Sequence, residues 1–521
     1  MVLFSSAARI DMPNEIELKL ALPKTAQSLL LRQAILRKAV AKHTQQLVNL
    51  YYDTPTLALH EHGIALRLRK QGRIWLQTVK CAGSSAAGLT SRPEWETPYA
   101  GHFDFSPIDD IAVRRWLERP QRRDQIAPLF ETNFRRTTWR FEPRPGCVVL
   151  LMLDRGWIAA AGRLEEISEV EIELAGNAEN DNVNELFKLA HTLGERLALA
   201  PAILSKAERG YRLFQGLRPR PQKARIVPLV SNSTPLAAFR KIALSTLEHL
   251  QGNLDGALNS SDPEFIHQMR VATRRLRAAL RLFAPHLPAS LADELLPELR
   301  LLTARLGHAR DLDVLLTEIA APVMHALPDE PRLALLAGAV TDRQHIARTA
   351  ALRHLQSIAY GRLLLRTTAL LHSPPFSAAI YTAPELAETL SVFAGLRLKR
   401  LRKKVRALAA AAAIDDPVSL HQLRIGVKRL RYALEFFTPL AADRQLPRLL
   451  PRLSLLQDEL GQLNDLANAG LLLMQCAGDD PRLREAVSLV GGWHASRHSE
   501  LLAHIPMHVK KLIRLKLPQL I

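Results

Sequence analysis

Cysteine is scarce in this chain of 521 residues. Cys81, Cys147 and Cys476 are the only three, too few for a disulfide framework or a metal–thiolate cluster. No apolar run reaches the roughly 18 residues of a membrane-spanning helix, so no membrane partner is expected. The opening stretch MVLFSSAARIDMPNEIELKL lacks a basic segment followed by an apolar core and does not read as a signal peptide. A reducing cytoplasm is therefore the expected compartment. Aromatic residues make up only 5%, which argues against a surface that stacks nucleic-acid bases. Acidic residues are in deficit, 51 against 70 Lys and Arg, for a net charge of +19. Such an excess points to a polyanionic partner: nucleic acid, anionic lipid or a phosphate-rich small molecule. The rest is ordinary for globular protein, 47% hydrophobic and 23% charged, which excludes wholesale disorder. The length suggests more than one domain.

The period of the pattern changes near residue 220. Before it, short runs alternate apolar and polar: EIELKL (15–20), GIALRLRK (63–70), IWLQTVK (74–80), RPEWETP (92–98) and EVEIEL (169–174). These read as strands. Between them, LPKTAQSLLLRQAILRKA and ENDNVNELFKLAHTLGERLAL carry helical spacing. The stretch 217–235, LRPRPQKARIVPLVSNSTP, has repeated Pro and no periodicity, as a linker would. From 236 the sequence is rich in Leu, Ala and Arg at helical spacing, broken at Pro and Gly. The expected fold class is α+β, with an all-helical second half. Charge is uneven too, +6 over residues 1–220 and +13 over 221–521.

The helical half repeats itself. HQMRVATRRLRAALRLF (267–283) matches HQLRIGVKRLRYALEFF (421–437), and LTARLGHARDLDVL (302–315) matches LQDELGQLNDLANA (456–469). His267 to His421 and Gly307 to Gly461 keep one offset of 154 residues, the mark of a tandem duplication of a helical bundle.

In the first strand Glu15, Glu17 and Lys19 share one face while Ile16, Leu18 and Leu20 share the other. The same sidedness recurs with Arg67 and Arg69, with Arg92, Glu94 and Glu96, and with Glu169, Glu171 and Glu173. A single such strand reads as half-exposed sheet. As a set, the faces are almost purely carboxylate or guanidinium, and the two kinds are segregated. That suits a site holding a divalent cation on carboxylate oxygens and phosphate on arginine forks and lysine charges.

Glu15-Ile-Glu17-Leu-Lys19 resembles the ExExK signature of the CYTH, or triphosphate tunnel metalloenzyme, superfamily. So do YYDTPTLAL (51–59) with GIALRLRK, Thr78-Val-Lys80, the Arg92/Glu94/Glu96 run, Asn133-Phe-Arg-Arg136, Asp154-Arg-Gly156, the Glu169/Glu171/Glu173 strand and the segment from Ser205 and Lys206 to Arg209, all in the right order. The resemblance covers roughly 12–215. It implies an eight-stranded antiparallel barrel, charged inside and apolar outside, that hydrolyses triphosphates with Mg²⁺ or Mn²⁺. Glu15, Glu17, Glu169, Glu171 and Glu173 would hold metal, and Glu15, Glu17, Lys19, Glu169 and Glu171 form the implied catalytic set. Lys19, Arg67, Arg69, Lys80, Arg92, Arg136 and Lys206 would bind phosphate. Glu94 and Glu96 also face the interior, and which of them meets metal stays open. Of Arg135 and Arg136 only one can point inward.

In the helical half His267, Arg270, Arg274, Arg277 and Arg281 fall on one helix face, and His421, Arg424, Lys428 and Arg431 repeat it. A solvated basic face is the bland account. Like charges at i+3 and i+4 repel, however, and both copies keep the arrangement, which favours an anion-binding surface. Asp311 and Asp465 could orient the arginines or cap a helix, and RLKRLRKKVR (397–406) could extend the surface or simply be solvated. HxMRVxxRRLR and LGxxRDLDV resemble the CHAD domain, over about 236–515. In the second copy Asn464 replaces Arg310 and Ala467 replaces Asp313. The resemblance implies two four-helix bundles around a basic cleft that binds inorganic polyphosphate through His267, Arg270, Arg274, Arg277, Arg310, His421, Arg424, Lys428 and Arg431.

The expected organisation is a tunnel domain at 12–216, a linker at 217–235 and a helical domain at 236–515, with repeats at about 236–385 and 390–515. The expected activity is metal-dependent hydrolysis of inorganic triphosphate, with polyphosphate as second partner and association with polyphosphate granules in the cytoplasm. The alternatives are a thiamine triphosphatase, an adenylate cyclase or a non-catalytic polyphosphate binder. Nucleic acid ranks low as a partner.

Overall fold

Each alternating run of the first half forms a strand of one antiparallel sheet. In chain order these are β1 (Glu15–Ala21), β2 (Ala41–Asp53), β3 (Ile64–Gln71), β4 (Ile74–Cys81), β5 (Ser84–Ala86), β6 (Leu89–Arg92), β7 (Glu94–Pro98), β8 (Ala127–Arg144), β9 (Cys147–Ala160), β10 (Arg163–Ala175) and β11 (Ala200–Pro201). The computed structural model describes residues 15–520 apart from 176–181, 374–375, 377–387, 415, 443–444 and 515. The opening stretch before 15, the domain and repeat limits at 12, 385 and 515, and the first residues of ENDNVNELFK lie outside the described residues.

The strands lie in the order β5-β6-β1-β10-β9-β8-β2-β3-β4-β7, with β11 on β1. Only Pro93 separates β6, which pairs with β1, from β7, which pairs with β4. The run 89–98 therefore joins both edges and curls the sheet into a tunnel-like barrel. With β6 and β7 counted as one, it has the expected eight long strands. Proline suits this changeover because it has no N–H to donate, while its carbonyl accepts from Cys81 N–H at 3.2 Å.

The helices are α1 (Val183–Gly194), α2 (Lys206–Gln215), α3 (Pro235–Gln251), α4 (Glu264–Phe283), α5 (Ala289–Val314), α6 (Pro331–Leu355), α7 (Ile358–His372), α8 (Leu390–Ala411), α9 (Pro417–Phe436), α10 (Gln445–Ala477) and α11 (Pro481–Arg514), with shorter turns between. Two compact units result. One holds the barrel through Arg220 together with Gln356–Ser373, and the other holds the remaining residues from Pro221.

In the barrel unit the apolar faces point outward and are then covered. Leu18 and Leu20 of β1 are fully buried with Leu151 and Leu153 of β9, Val170 and Ile172 of β10, and Leu186, Ala190 and Leu193 of α1. Leu365 of α7 joins this cluster, although α7 falls within the stretch, about 236–385, expected to form the first helical repeat. A Cβ at Gly361 would lie 2.2 Å from the Leu199 carbonyl oxygen, so α7 approaches as closely as it does only because it lacks one there.

In the helical unit α3, α4, α5 and α6 pack in succession, and α8, α9, α10 and α11 repeat the pattern. Thr234 Oγ1 caps α3 by accepting from Ala237 N–H at 3.2 Å, with Pro235 preset at the first turn. Phe283 of α4 packs against Phe393 of α8 and Phe437 just beyond α9, with ring centroids 5.1 and 5.9 Å apart.

Candidate functional site

Sheet register decides which charges meet inside the barrel. Glu17 faces Glu173 across the β1–β10 pair and Lys19 faces Glu171. Asp154 of β9 sits between Arg136 of β8 and Glu169 of β10. Two clusters result. In one, Lys80 Nζ lies 2.6 Å from Glu15 and 3.0 Å from Glu94, and Arg92 reaches Glu15 at 3.3 Å and Glu17 at 2.8 Å. Arg67 faces Glu94 at 3.5 Å and Arg69 faces Glu96 at 3.7 Å.

In the other cluster Lys206 Nζ lies 2.6 Å from Asp154 and 2.9 Å from Glu171 and also contacts Glu169. Arg136 binds both oxygens of Asp154 at 2.7 and 2.6 Å and touches Glu171. Lys19 links the clusters, 3.0 Å from Glu17 and 3.8 Å from Glu171. Arg136 points inward while Arg135 is exposed, which resolves the register of β8.

Asp154 is fully buried, and its carboxylate, with those of Glu169 and Glu171, offers oxygens that all lie within 4.8 Å of one another. Three hard oxygen donors at that spacing fit Mg²⁺ or Mn²⁺. Burial raises the proton affinity of Glu171, but Lys206, Arg136 and Lys19 overcome it and hold the carboxyl well below its usual range. Burial lifts Glu169 instead, although Lys206 pulls against it. Glu173 is buried on the same strand face, where its charge reaches Arg136.

Helix α2 delivers Lys206. Ser205 Oγ caps it by accepting from Glu208 N–H at 3.1 Å. Tyr211 anchors it by donating to Asp53 at 2.9 Å, and Asp53 also accepts from the backbone of Thr54, Leu59 and His60. Arg209, one turn after Lys206, reaches Glu165 at 2.6 Å and Glu169 at 3.1 Å.

Neither Asp154 nor Arg209 is marked as a site residue by periodicity. Asp154 ends the apolar run VVLLML, where a lone carboxylate is one signal, and the Asp154-Arg-Gly156 motif of the family resemblance is the other.

The helical unit brings together Arg270, Arg274 and Arg277 of α4 with Arg424 and Lys428 of α9. Burial and these four guanidinium groups push Lys428 down to about 7. Arg424 is lowered by burial and by Arg274 and Arg270, despite Asp465. Arg270 pairs with Asp311 at 3.0 Å, so Asp311 orients rather than caps. The buried Nε atoms of Arg270, Arg274, Arg277 and Arg424 have no partner among the described residues. His267 is lowered by burial, with Arg310 among the nearby charges, and Arg310 itself pairs with Glu318 at 3.2 Å. His421 bonds Asn464 at 3.0 Å. Arg431 is instead engaged by Glu435 at 2.7 Å and Gln457 at 2.9 Å. Asp313 is buried and accepts from Gln344 at 2.7 Å, so its replacement by Ala467 falls on helix packing rather than on the basic face.

Residues 13–211 match the CYTH domain family and residues 241–473 the CHAD domain family. The chain is a CYTH domain followed by a CHAD domain. Its CYTH domain is similar to the inorganic triphosphatase of Haemophilus influenzae, 30% identical over 203 residues, which are 39% of this chain and 55% of that protein. The chain thus spans about half the length of the curated relative it matches. The CHAD domain from the plant Ricinus communis is 33% identical, with a TM-score of 0.50, covering 58% of this chain and 99% of that one. No helix among the described residues is long and apolar enough to cross a membrane.

Proposed function

We propose that the CYTH domain hydrolyses inorganic triphosphate to diphosphate and phosphate with Mg²⁺ or Mn²⁺, and that the CHAD domain binds inorganic polyphosphate. The buried Asp154, Glu169 and Glu171 carboxylates, ringed by Lys19, Arg136 and Lys206, carry this reading. Acids and bases that neutralise one another are poised for exchange. The carboxylates of Asp154, Glu169 and Glu171, with Glu15, Glu17 and Glu173, would take the cation, and the lysines and arginines would take phosphate oxygens. A bound divalent cation would neutralise phosphate charge and lower the pKa of a water molecule. Lys19, Arg67, Arg69, Lys80, Arg92, Arg136 and Lys206 would hold the triphosphate in line and stabilise charge on the leaving diphosphate.

An inorganic substrate is favoured over thiamine triphosphate or ATP because of where the aromatic rings lie. Tyr51, Phe130 and Phe134 pack with Tyr211 of α2 in an apolar cluster, and Lys206 and Arg136 lie over the Phe134 ring, 5.0 and 5.6 Å from its centroid. Those rings are already covered, leaving them unfit to stack an organic group. In the CHAD domain, the cluster of Arg270, Arg274, Arg277, Arg424 and Lys428 supports polyanion binding, and its lack of interleaved aromatics favours phosphate chains over nucleic acid. The cytoplasm, with association to polyphosphate granules, is the compartment that suits both activities.

The test is phosphate release by the full chain from inorganic triphosphate, thiamine triphosphate, ATP and long-chain polyphosphate. Release mainly from inorganic triphosphate, lost in Glu15→Gln/Glu17→Gln, is expected. Faster release from thiamine triphosphate or ATP would replace the substrate. No release with polyphosphate binding intact would make the protein a binder only.

A further inference from the structure

Helix α7 belongs to the barrel unit, although in sequence it stands between α6 and α8 of the helical unit. Gly361, Leu365, Ala369 and His372 fall at i, i+4, i+8 and i+11 and share one face. That face runs antiparallel along α1. Leu365 comes within 3.2 Å of where a Cβ on Gly194 would stand, and the His372 ring stacks on Phe187 with centroids 6.0 Å apart. At its N-terminal end α7 meets backbone instead. A Cβ on Gly361 would lie 2.2 Å from the carbonyl oxygen of Leu199 and 2.9 Å from its carbonyl carbon.

Leu199 opens the segment that flanks two lysines of the charged interior. β6 pairs with β1 as far as Leu18, and β11 takes over that edge at Leu20 and Ala21. Lys19 sits at the changeover. Its N–H donates to the Gly88 carbonyl at 3.0 Å, and its own carbonyl accepts from Ala202 N–H at 2.8 Å. A Cβ on Gly88 would lie 2.7 Å from Pro201 Cβ, so the two flanks of Lys19 close on each other. Four residues after Ala202 the chain enters α2 at Lys206, whose Nζ meets Asp154 and Glu171. A helix that covers an apolar sheet face is ordinarily packing and nothing more. Here, however, its closest approach falls on the backbone of this segment rather than on sheet side chains. β11 has only two residues, too few for ladder bonds alone to hold it.

We infer that Gly361 and Leu365 of α7 are positioning residues for the barrel site: they press the segment 199–202 onto β1 and so fix where Lys19 and Lys206 stand. The inference rests on the reading of the barrel as a triphosphatase. Neither residue touches the reacting atoms, and both act through backbone. Lys19 joins Glu17 to Glu171, and Lys206 joins Asp154 to Glu171. A shift of 199–202 therefore moves two cations against one carboxylate. Misplacement by about 1 Å from a remote change can cost roughly 100-fold in rate. The catalytic unit thus does not end at Arg220; it includes a helix drawn from the stretch between α6 and α8.

The test joins amide hydrogen exchange, resolved by peptide, to steady-state phosphate release from inorganic triphosphate, both on the full chain. Wild type is compared with Leu365→Ala, with the volume-keeping Leu365→Met, and with Leu117→Ala, a deletion in a separate buried cluster of the same unit. In Leu365→Ala the amides of Lys19, Ala202 and Glu208 should exchange faster, while those of β9 stay protected and report a folded barrel. The value of kcat should fall roughly 10- to 100-fold, with a smaller change in KM. Leu365→Met should restore both, and Leu117→Ala should move neither. Unchanged exchange at Ala202 in Leu365→Ala overturns the clamp. Faster local exchange with kcat equal to wild type overturns the positioning role. An equal loss of kcat in Leu117→Ala also overturns it, since any core deletion would then do the same. No phosphate release by wild type, with the local exchange effect present, overturns the triphosphatase reading and the catalytic role of α7 with it.

Discussion

Lys206 Nζ lies 2.6 Å from Asp154 Oδ2, one residue from the start of α2 and the other in the middle of the sheet. Both are buried, so the pair ties a helix to the floor of the barrel at the place where the carboxylates converge. Removing one partner leaves the other charge without full compensation.

Asp154→Asn keeps the shape but removes the charge. Loss of a carboxylate from the Asp154, Glu169 and Glu171 cluster should weaken divalent-cation binding roughly 10- to 100-fold. Metal titration of phosphate release, with calorimetry of Mn²⁺ binding, measures it. Unchanged cation affinity would remove Asp154 from the site.

Tyr211→Phe deletes the hydrogen bond to Asp53, which retains its backbone donors. The expected cost is about 1.5–3 kcal/mol of stability, as for a hydrogen bond to a charged group. Because Tyr211 anchors the helix that carries Lys206, turnover should also fall. Urea unfolding and steady-state rates report the two effects separately.

Much of this was legible beforehand. Alternation in EIELKL put Glu17 and Lys19 opposite Leu18 and Leu20, and the 154-residue offset announced the two bundles. Three features were not legible from periodicity. By its pattern Asp154 follows six apolar residues and reads as the end of a core strand; the Asp154-Arg-Gly156 resemblance marks the segment without a role, and the register against Arg136 and Glu169 makes it part of the site. The sequence of α7, IAYGRLLLRTTALLH, has an apolar face suited to any bundle, and periodicity does not say which core it fills. It fills the barrel's outer layer, beside α1. Arg431 keeps the spacing of the stripe, yet Glu435 one turn away captures it.

Gly361→Ala tests the placement of α7. The new methyl would meet the Leu199 carbonyl at 2.2 Å, against backbone that cannot step aside. A loss of about 1–3 kcal/mol is expected in chemical denaturation, as for overpacking. A neutral result would mean that α7 does not seat on the barrel.

Phosphate-chain binding should depend on pH through Lys428, whose affinity for a proton is lowered from the ordinary 10.5 to about 7. Between those values the unfolded chain holds a proton that the folded one does not, so this residue favours folding progressively as pH rises from about 7. A bound phosphate chain draws that proton back onto the amine, so affinity should fall as pH rises above about 7. Lys428→Arg, which stays charged, should flatten the profile. Binding isotherms between neutral and alkaline pH, for both proteins, decide it.

The most direct measurement is the rate of phosphate release from inorganic triphosphate by the full chain, with Mg²⁺, with Mn²⁺ and with excess EDTA, beside Asp154→Asn. Release that needs the cation, stops with the chelator, resumes on its return and collapses in the variant is the expected result. Release that persists in EDTA, or equal rates in wild type and Asp154→Asn, would contradict a triphosphatase built on the Asp154, Glu169 and Glu171 carboxylates.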